Sequence, residues 1–297
     1  IPVWHDDAQG TGSVTVAGLI NALRIVEKDM EDIRIVLYGA GASNATIARL
    51  ILQAGGDPEK MILFDSKGSL HKGRDDIKAD TRFYRKWELC EKTNPKQIND
   101  IEQAMKGADV LIALSKPGPD VVKPGWIRSM GSKPIVFTCA NPVPEIYPYA
   151  AKEAGAYITA TGRGDFPNQV NNSLGFPGIL KGALLVRSKS VTDNMAVAAS
   201  YAMANYAEKK GIHPDYIMPK MDETDMFAFE AADVAMQAIK DGVARVESDW
   251  DSIYNRTLED IGHTRQTIDM MMEKNFIKKP DTAMLEEALK KAVDQVK

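Results

Sequence analysis

A glycine-containing turn and a later carboxylate are the first residues here that suggest a defined chemistry. The turn consists of Gly39, Ala40, Gly41, Ala42, Ser43 and Asn44. Glycines at the first two positions of such a turn let the backbone N–H groups approach a pyrophosphate at the start of the next helix. Asp65 lies 24 residues after Gly41, where a carboxylate can accept hydrogen bonds from an adenosine ribose. This spacing predicts dinucleotide binding rather than a plain strand–turn–helix.

The choice between NAD and NADP stays open in the sequence. Asp65 favours the free 2′-hydroxyl of NAD. Lys67, two residues further on, is suited to neutralise the 2′-phosphate of NADP. Asn44 stands where a third glycine is usual, which predicts a wider spacing between the helix and its strand.

Two adjacent carboxylates, Asp6 and Asp7, precede a helical pattern that begins near Thr11. Asp residues before a helix commonly cap its free N–H groups. Carboxylate oxygens are also the ligands that Mg²⁺ and Mn²⁺ prefer, usually more than one at a time. His5 has no Cys or His close by in the sequence, so a zinc site is not predicted. Helix capping and a hard-metal site both remain open.

Polar segments follow the last two predicted strands. Asn141-Pro142 comes after the apolar run 134–139, and a Gly- and Asn-rich segment at 161–172 comes after the run 156–160. Amide side chains in such places can orient a carboxylate substrate or a nicotinamide ribose. The same compositions also form ordinary turns, so both interpretations stand.

Alternating strand and helix patterns must position these groups. Five apolar runs predict buried strands at 33–38, 61–65, 109–114, 134–139 and 156–160, and most are separated by helical spacing. This alternation predicts an α/β fold with a doubly wound, mainly parallel Rossmann-type sheet that binds ligands at the carboxyl ends of its strands. The segment 67–94 is poor in apolar residues and is expected to be irregular. Added helices are predicted at 174–187, 194–209, 223–240, 249–273 and 282–296.

Composition excludes several classes of function. A length of 297 residues suggests about two domains. The net charge of −4 gives no reason to expect nucleic acid or an anionic membrane, and no apolar stretch approaches the ~18 residues of a membrane helix. Two cysteines cannot form a disulfide framework, which favours a reducing compartment, the cytoplasm. Because the first residue is Ile1, we expect the chain to be the downstream part of a longer protein.

Several motifs together resemble the malic enzymes, specifically the smaller microbial type. They are HDDAQGT at 5–11, GAGA at 39–42, DSKG at 65–68, ANP at 140–142, TGR at 161–163, DFPNQVNN at 165–172 and FPG at 176–178. The resemblance implies an NAD(P)-binding domain over 1–245. It leaves 246–297 as a helical extension, which we expect to be a packing arm or an oligomer contact.

The resemblance implies oxidative decarboxylation of (S)-malate to pyruvate and CO₂, with NAD⁺ or NADP⁺ reduced and with Mg²⁺ or Mn²⁺ as Lewis acid. It assigns Asp7 as a metal ligand and places Asp6 beside a catalytic lysine. A homodimer or higher homo-oligomer is the corresponding expectation.

The same resemblance assigns the remaining site residues. Asn141 and Asn172 would contact malate and the nicotinamide end of the coenzyme, and Ser115 would line the coenzyme cleft. Residues 39–44 would hold the pyrophosphate, and Asp65 the adenosine ribose.

Two departures from the family pattern are Ala8, where Gln is usual, and Asn44, where the third glycine is usual. In this family a tyrosine acid, a lysine base and a Glu-Asp metal pair come from a preceding domain, and no segment here matches them. We therefore expect this chain to bind dinucleotide without turnover. Two alternatives remain: a malolactic enzyme, which converts malate to lactate, and a non-catalytic dinucleotide-sensing module.

Overall fold

A six-stranded sheet lies at the centre of the structure, a computed structural model that describes residues 2–278 and 281–296. Its strands are β1 (Ile35–Tyr38), β2 (Met61–Asp65), β3 (Gly68–Ser69), β4 (Val110–Ala113), β5 (Ile135–Thr138) and β6 (Ile158–Thr161). They lie in the order β3-β2-β1-β4-β5-β6, and all neighbours run parallel except β2 and β3. The predicted doubly wound, mainly parallel sheet is confirmed.

Helices connect the strands and continue after the sheet. They are α1 (Thr11–Val26), α2 (Ala42–Gln53), α3 (Asp75–Lys78), α4 (Tyr84–Lys92), α5 (Ile101–Met105), α6 (Pro124–Arg128), α7 (Pro148–Glu153), α8 (Phe176–Leu185), α9 (Asp193–Lys209), α10 (Asp225–Lys240), α11 (Trp250–Glu273) and α12 (Thr282–Val296).

The alternation of side chains along each strand builds two cores, one on each face of the sheet. In β1, Ile35 and Leu37 join the larger core, whereas Val36 joins the smaller one. The larger core also contains apolar residues of α1, α2, α9 and α10, and the smaller one contains residues of α5, α6 and α7. Helices on both faces explain why the strands read as continuous apolar runs rather than as alternating ones.

The expectation of an irregular segment at 67–94 is wrong, because β3, α3 and α4 all lie within it. The sequence does not predict α4, because this helix is strongly charged and buries only Leu89 and Cys90, which is too few for an apolar helical pattern. The two-residue strand β3 is too short to show a period. The five predicted strands all exist, with boundaries that differ by up to two residues.

The chain divides into two compact units, Ile1–Tyr254 and Asn255–Lys297. The first contains the sheet and every candidate site residue described below. The second contains most of α11 and all of α12. Over the described residues, no helix is both long and apolar enough to cross a membrane.

Candidate coenzyme and substrate site

Register along the sheet brings the carboxyl ends of five strands to one edge. Tyr38 of β1 is level with Phe64 of β2 and with Ala113 of β4, which is level with Thr138 of β5. Thr138 is in turn level with Thr161 of β6. The ends of these strands and the segments that follow them carry the predicted site residues other than Asp6 and Asp7, so the parallel sheet itself gathers residues that are far apart in the sequence.

The turn after β1 depends on its glycines in two different ways. Gly39 has φ +101°, and a Cβ there would lie 2.3 Å from the carbonyl oxygen of Leu114, so any side chain at 39 would clash. At Gly41, in contrast, a Cβ would have no atom of the described residues within 4 Å beyond its own chain neighbours. The backbone is therefore open at Gly41, where a pyrophosphate would have to approach the start of α2.

Asn44, which replaces the third glycine of the turn, forms hydrogen bonds that connect α2 to β1. Its side chain is fully buried, and Nδ2 donates to the carbonyl oxygens of Tyr38 (3.3 Å) and Gly39 (2.8 Å). These bonds fasten the first turn of α2 to the end of β1. Ala42, the remaining small residue of the turn, lines a separate cavity of about 660 Å³.

A cavity of about 300 Å³ lies over the ends of β4 and β5. Its lining includes five of the predicted site residues: Asp7, Ser43, Ser115, Asn141 and Asn172. A second cavity, of about 560 Å³, is lined by Gly39, Ala40, Gly41, Asp65 and Ser115 among others. Because Leu114 and Ser115 line both, the two cavities adjoin at the end of β4.

Asp6 and Asp7 occupy a short π-helical segment, Asp6–Gly10, and face different surroundings. Asp7 lines the smaller cavity, and its carbonyl oxygen accepts a hydrogen bond of 2.7 Å from the Ser43 hydroxyl. Asp6 instead accepts a hydrogen bond from the Asn172 amide, while its Oδ1 is buried without a hydrogen-bond partner in the described part of the chain. Burial raises the pKa of Asp6, against the effect of the Asn172 bond.

The donor set offers a divalent cation only part of a site. Asp7 is the acidic residue in the lining of the smaller cavity. Within residues 2–278 and 281–296, no group of three or more His, Cys, Asp or Glu side chains is arranged to hold a metal ion. The described residues therefore supply one hard ligand and not a complete coordination sphere.

Asp65 lies at the end of β2, as its spacing predicted, but it is enclosed by cations. Arg74 donates to both carboxylate oxygens at 3.0 Å, and Lys86 Nζ lies 3.3 Å from Oδ2. Burial opposes ionisation, but the Arg74 hydrogen bonds and the Lys67 backbone N–H outweigh it and lower the pKa of Asp65. Asp65 is thus ionised and already paired.

Glu145 is a residue of the site that sequence reasoning missed. It is fully buried, and Oε1 accepts from Ser115 N (2.8 Å) and Ser115 Oγ (3.2 Å). Its other oxygen accepts from Ala140 N at 3.1 Å. Burial raises the pKa of Glu145, although these bonds oppose the rise. Glu145 thereby ties the segment after β4 to the segment after β5, which carries Asn141. In the sequence Glu145 is an acid in the stretch Pro-Val-Pro-Glu, which an exposed turn could equally carry, so the sequence holds no signal for it.

A comparison with known protein families matches residues 8–240 to the family described as "Malic enzyme, NAD binding domain". The bifunctional malic/malolactic enzyme of Bacillus subtilis is 39% identical over 258 residues, which cover 86% of this chain and 61% of that protein. The NAD-dependent malic enzyme of Geobacillus stearothermophilus is 38% identical over 249 residues, covering 84% and 50%. The chain thus spans about half to three fifths of these relatives.

Solved structures give the same result. The malic enzyme of Entamoeba histolytica is 63% identical with a TM-score of 0.96, covering 100% of this chain and 61% of that one. The malic enzyme of Pyrococcus horikoshii Ot3 is 43% identical with a TM-score of 0.85, covering 92% and 63%.

Proposed function

Because the chain belongs to the malic enzyme family, we propose that it carries the coenzyme- and malate-binding residues of a metal-dependent, decarboxylating malate dehydrogenase. The reaction is oxidation of (S)-malate to pyruvate and CO₂ with reduction of NAD⁺ or NADP⁺. One observation carries the proposal: two adjoining cavities, one lined by the glycine turn and the other by Asp7, Asn141 and Asn172. This arrangement suits a coenzyme whose nicotinamide meets a small polar acid near Ser115.

The chain's own groups have distinct tasks in this proposal. Backbone N–H groups around Gly41 and the start of α2 bind the pyrophosphate. The Asn141 and Asn172 amides orient malate and the nicotinamide ribose, since an amide can both donate and accept. Asp6 holds Asn172 by accepting from its Nδ2, so that Asn172 keeps one orientation.

Metal dependence is part of the proposal. We assign Asp7 as one ligand of Mg²⁺ or Mn²⁺ because it is the acidic residue in the lining of the cavity that would hold malate. The described residues supply part of the coordination sphere, and a bound ion would act as a Lewis acid on malate.

Proton transfer is not assigned to the smaller cavity. Its lining contains no Lys, Tyr or His among the residues that the structure describes. Cys139 lines it, but burial raises the pKa of that thiol far beyond neutrality, so it is neither a base nor a nucleophile. We therefore propose that this chain alone binds coenzyme and does not turn over malate.

The second unit supports a homo-oligomer as part of the proposal. In α12, Leu285, Leu289 and Val293 recur every four residues and are 53%, 67% and 46% exposed. Glu286 and Lys290 flank this stripe on one side. When two copies of α12 pair antiparallel about a two-fold axis at Leu289, the Glu286 and Lys290 sides of both helices lie together. Glu286 of one copy then faces Lys290 of the second copy. We assign this stripe to antiparallel pairing with a second copy.

A reducing compartment, the cytoplasm, completes the proposal. Cys90 and Cys139 are both buried and free, as expected where thiols stay reduced.

The test measures NADH and NADPH binding by fluorescence, and malate- and Mn²⁺-dependent reduction of both coenzymes, on the same preparation. Binding without turnover supports the proposed division of roles. Turnover by this chain would contradict it, and absence of coenzyme binding would contradict the proposal as a whole. The matched variants are Asn172→Ala, which should abolish the effect of malate on NADH and NADPH fluorescence, and Asn255→Ala at an exposed position of the second unit, which should not.

A malolactic reaction is the competing candidate, because one relative is named a bifunctional malic/malolactic enzyme. Free NADH or NADPH accumulates with pyruvate in the malic reaction, whereas a malolactic enzyme releases lactate and keeps its coenzyme. Product analysis of the complete protein separates the two. A protein that binds coenzyme but leaves malate unbound would instead support a dinucleotide-sensing module.

A further inference from the structure

The carboxylate of Asp65 has no acceptor position left for a ribose hydroxyl. Oδ1 accepts from Lys67 N (2.8 Å) and Arg74 Nη1 (3.0 Å), and Oδ2 accepts from Arg74 Nη2 (3.0 Å) and Lys86 Nζ (3.3 Å). An ionised carboxylate offers about four lone-pair sites. All of them are in use, so Asp65 would have to give up an existing bond before it could read the free 2′-hydroxyl of NAD.

Arg74 is equally engaged, which fixes Asp65 in place. Its Nε and Nη2 donate to Asp76, both Nη atoms donate to Asp65, and Nη1 also donates to the carbonyl oxygen of Ser69. These bonds account for all five N–H donors of a guanidinium. Arg74 therefore bridges the two carboxylates and has no donor left for a ligand.

The charged side chains around Arg74 carry a net positive charge. Two carboxylates, Asp65 and Asp76, meet three cations: Arg74, Lys67 and Lys86. Lys86 uses one of its three N–H donors on Asp65 and lines the coenzyme cavity, together with Ser66 and Lys116. A net positive end with free ammonium donors suits a phosphate dianion better than a pair of neutral hydroxyls.

We propose that this end of the cavity selects the 2′-phosphorylated coenzyme, NADP, with Lys86 as the side chain that contacts the 2′-phosphate. Asp65 and Arg74 act as positioning residues that hold Lys86 at the cavity. This inference rests on the proposed function, since it assumes that the cavity takes the adenosine half of a dinucleotide.

Adenosine fragments test the inference without any turnover. Isothermal titration calorimetry compares 2′,5′-ADP with 5′-AMP on the purified chain, and NADPH is compared with NADH by fluorescence. We expect 2′,5′-ADP to bind at least about tenfold more tightly, the contribution of one charge-assisted hydrogen bond. Lys86→Gln should remove most of that difference by weakening 2′,5′-ADP without lowering 5′-AMP affinity, because the change frees one acceptor position on Asp65. Lys86→Arg should restore the difference.

Lys106→Gln is the matched control, because Lys106 is exposed and precedes β4 at the opposite edge of the sheet. Equal or tighter binding of 5′-AMP than of 2′,5′-ADP would overturn the selection of NADP while leaving the proposed function intact. An equal loss of both fragments in Lys86→Gln would overturn the assignment of Lys86. If neither fragment nor either coenzyme bound, the proposed function would fail together with the inference.

Discussion

Glu145→Gln tests whether one buried carboxylate holds the coenzyme cleft in shape. Its two oxygens join Ser115, at the junction of the two cavities, to Ala140, next to Asn141. Glutamine has nearly the same shape but only one acceptor oxygen. Since Ser115 directs both its N–H and its hydroxyl at Oε1, the glutamine oxygen will face Ser115 and its NH₂ group will face the Ala140 N–H.

That arrangement leaves two buried donors opposed. An unsatisfied buried N–H costs about 1–3 kcal/mol, so the free energy of unfolding should fall by about that amount. Relief of the desolvation that raises the pKa of Glu145 offsets part of this cost. If about 1.4 kcal/mol appears as displacement of the segment at Ser115, coenzyme affinity falls about tenfold.

Urea unfolding and NADPH fluorescence titration measure the two effects separately. Glu153→Gln is the matched control, an exposed glutamate at the end of α7, and both quantities should stay unchanged in it. A Glu145→Gln protein with lowered stability but wild-type coenzyme affinity would refute the positioning role. Unchanged stability would refute the hydrogen-bond argument itself.

Three further predictions use other parts of the chain. Gly39→Ala should lower the free energy of unfolding by more than about 1–3 kcal/mol, because the left-handed backbone and the clash with the Leu114 carbonyl oxygen act together. Gly41→Ala should weaken only coenzyme binding. Urea unfolding and coenzyme titration of both variants measure the two effects. Burial raises the pKa of Glu230 well above 4.5, so the folded protein retains a proton that the unfolded chain loses, and stability falls by about 1.4 kcal/mol per pH unit above that value. Glu230→Gln should remove this slope in urea titrations as the pH rises above 4.5, and parallel curves for variant and wild type would contradict the argument. Leu289→Cys should form a disulfide-linked dimer under mild oxidation, whereas Leu285→Cys should link only when mixed with Val293→Cys; self-linking of Leu285→Cys would indicate parallel pairing instead.

Much of the fold could be predicted because each strand is buried on both faces. Short apolar runs such as 35–38, separated by segments with helical spacing, predict buried strands of a parallel sheet. α4 could not be found in this way, because its contribution to the core is limited to one side of a charged helix. A periodic pattern of apolar residues appears in the sequence only when an element buries a whole face. An element that buries one or two residues shows no such pattern.

The candidate site was predictable to the extent that topology determines it. Asn141 and Asn172 lie in polar segments that follow predicted strands, the family resemblance assigns them to the site, and the parallel sheet places both on one cavity with Asp7. Glu145 was not predictable, because its importance lies in bonds to Ser115 and Ala140 across two loops. Nothing in the local spacing of Glu145 distinguishes it from an exposed turn residue.

The choice between NAD and NADP shows why residue spacing alone does not determine coenzyme specificity. Asp65 stands where a ribose-binding carboxylate should stand, and its position in the structure agrees with that spacing. Specificity, however, depends on which lone pairs and donors remain free, and Arg74 and Lys86 consume the acceptors of Asp65 from nine and twenty-one residues away. Lys67, which the sequence offered as one candidate for the 2′-phosphate, donates to Asp76 and is not part of the cavity lining, whereas Lys86 lines the cavity. A hydrogen-bond inventory therefore decides what a motif can bind, and that inventory exists only once the chain has folded.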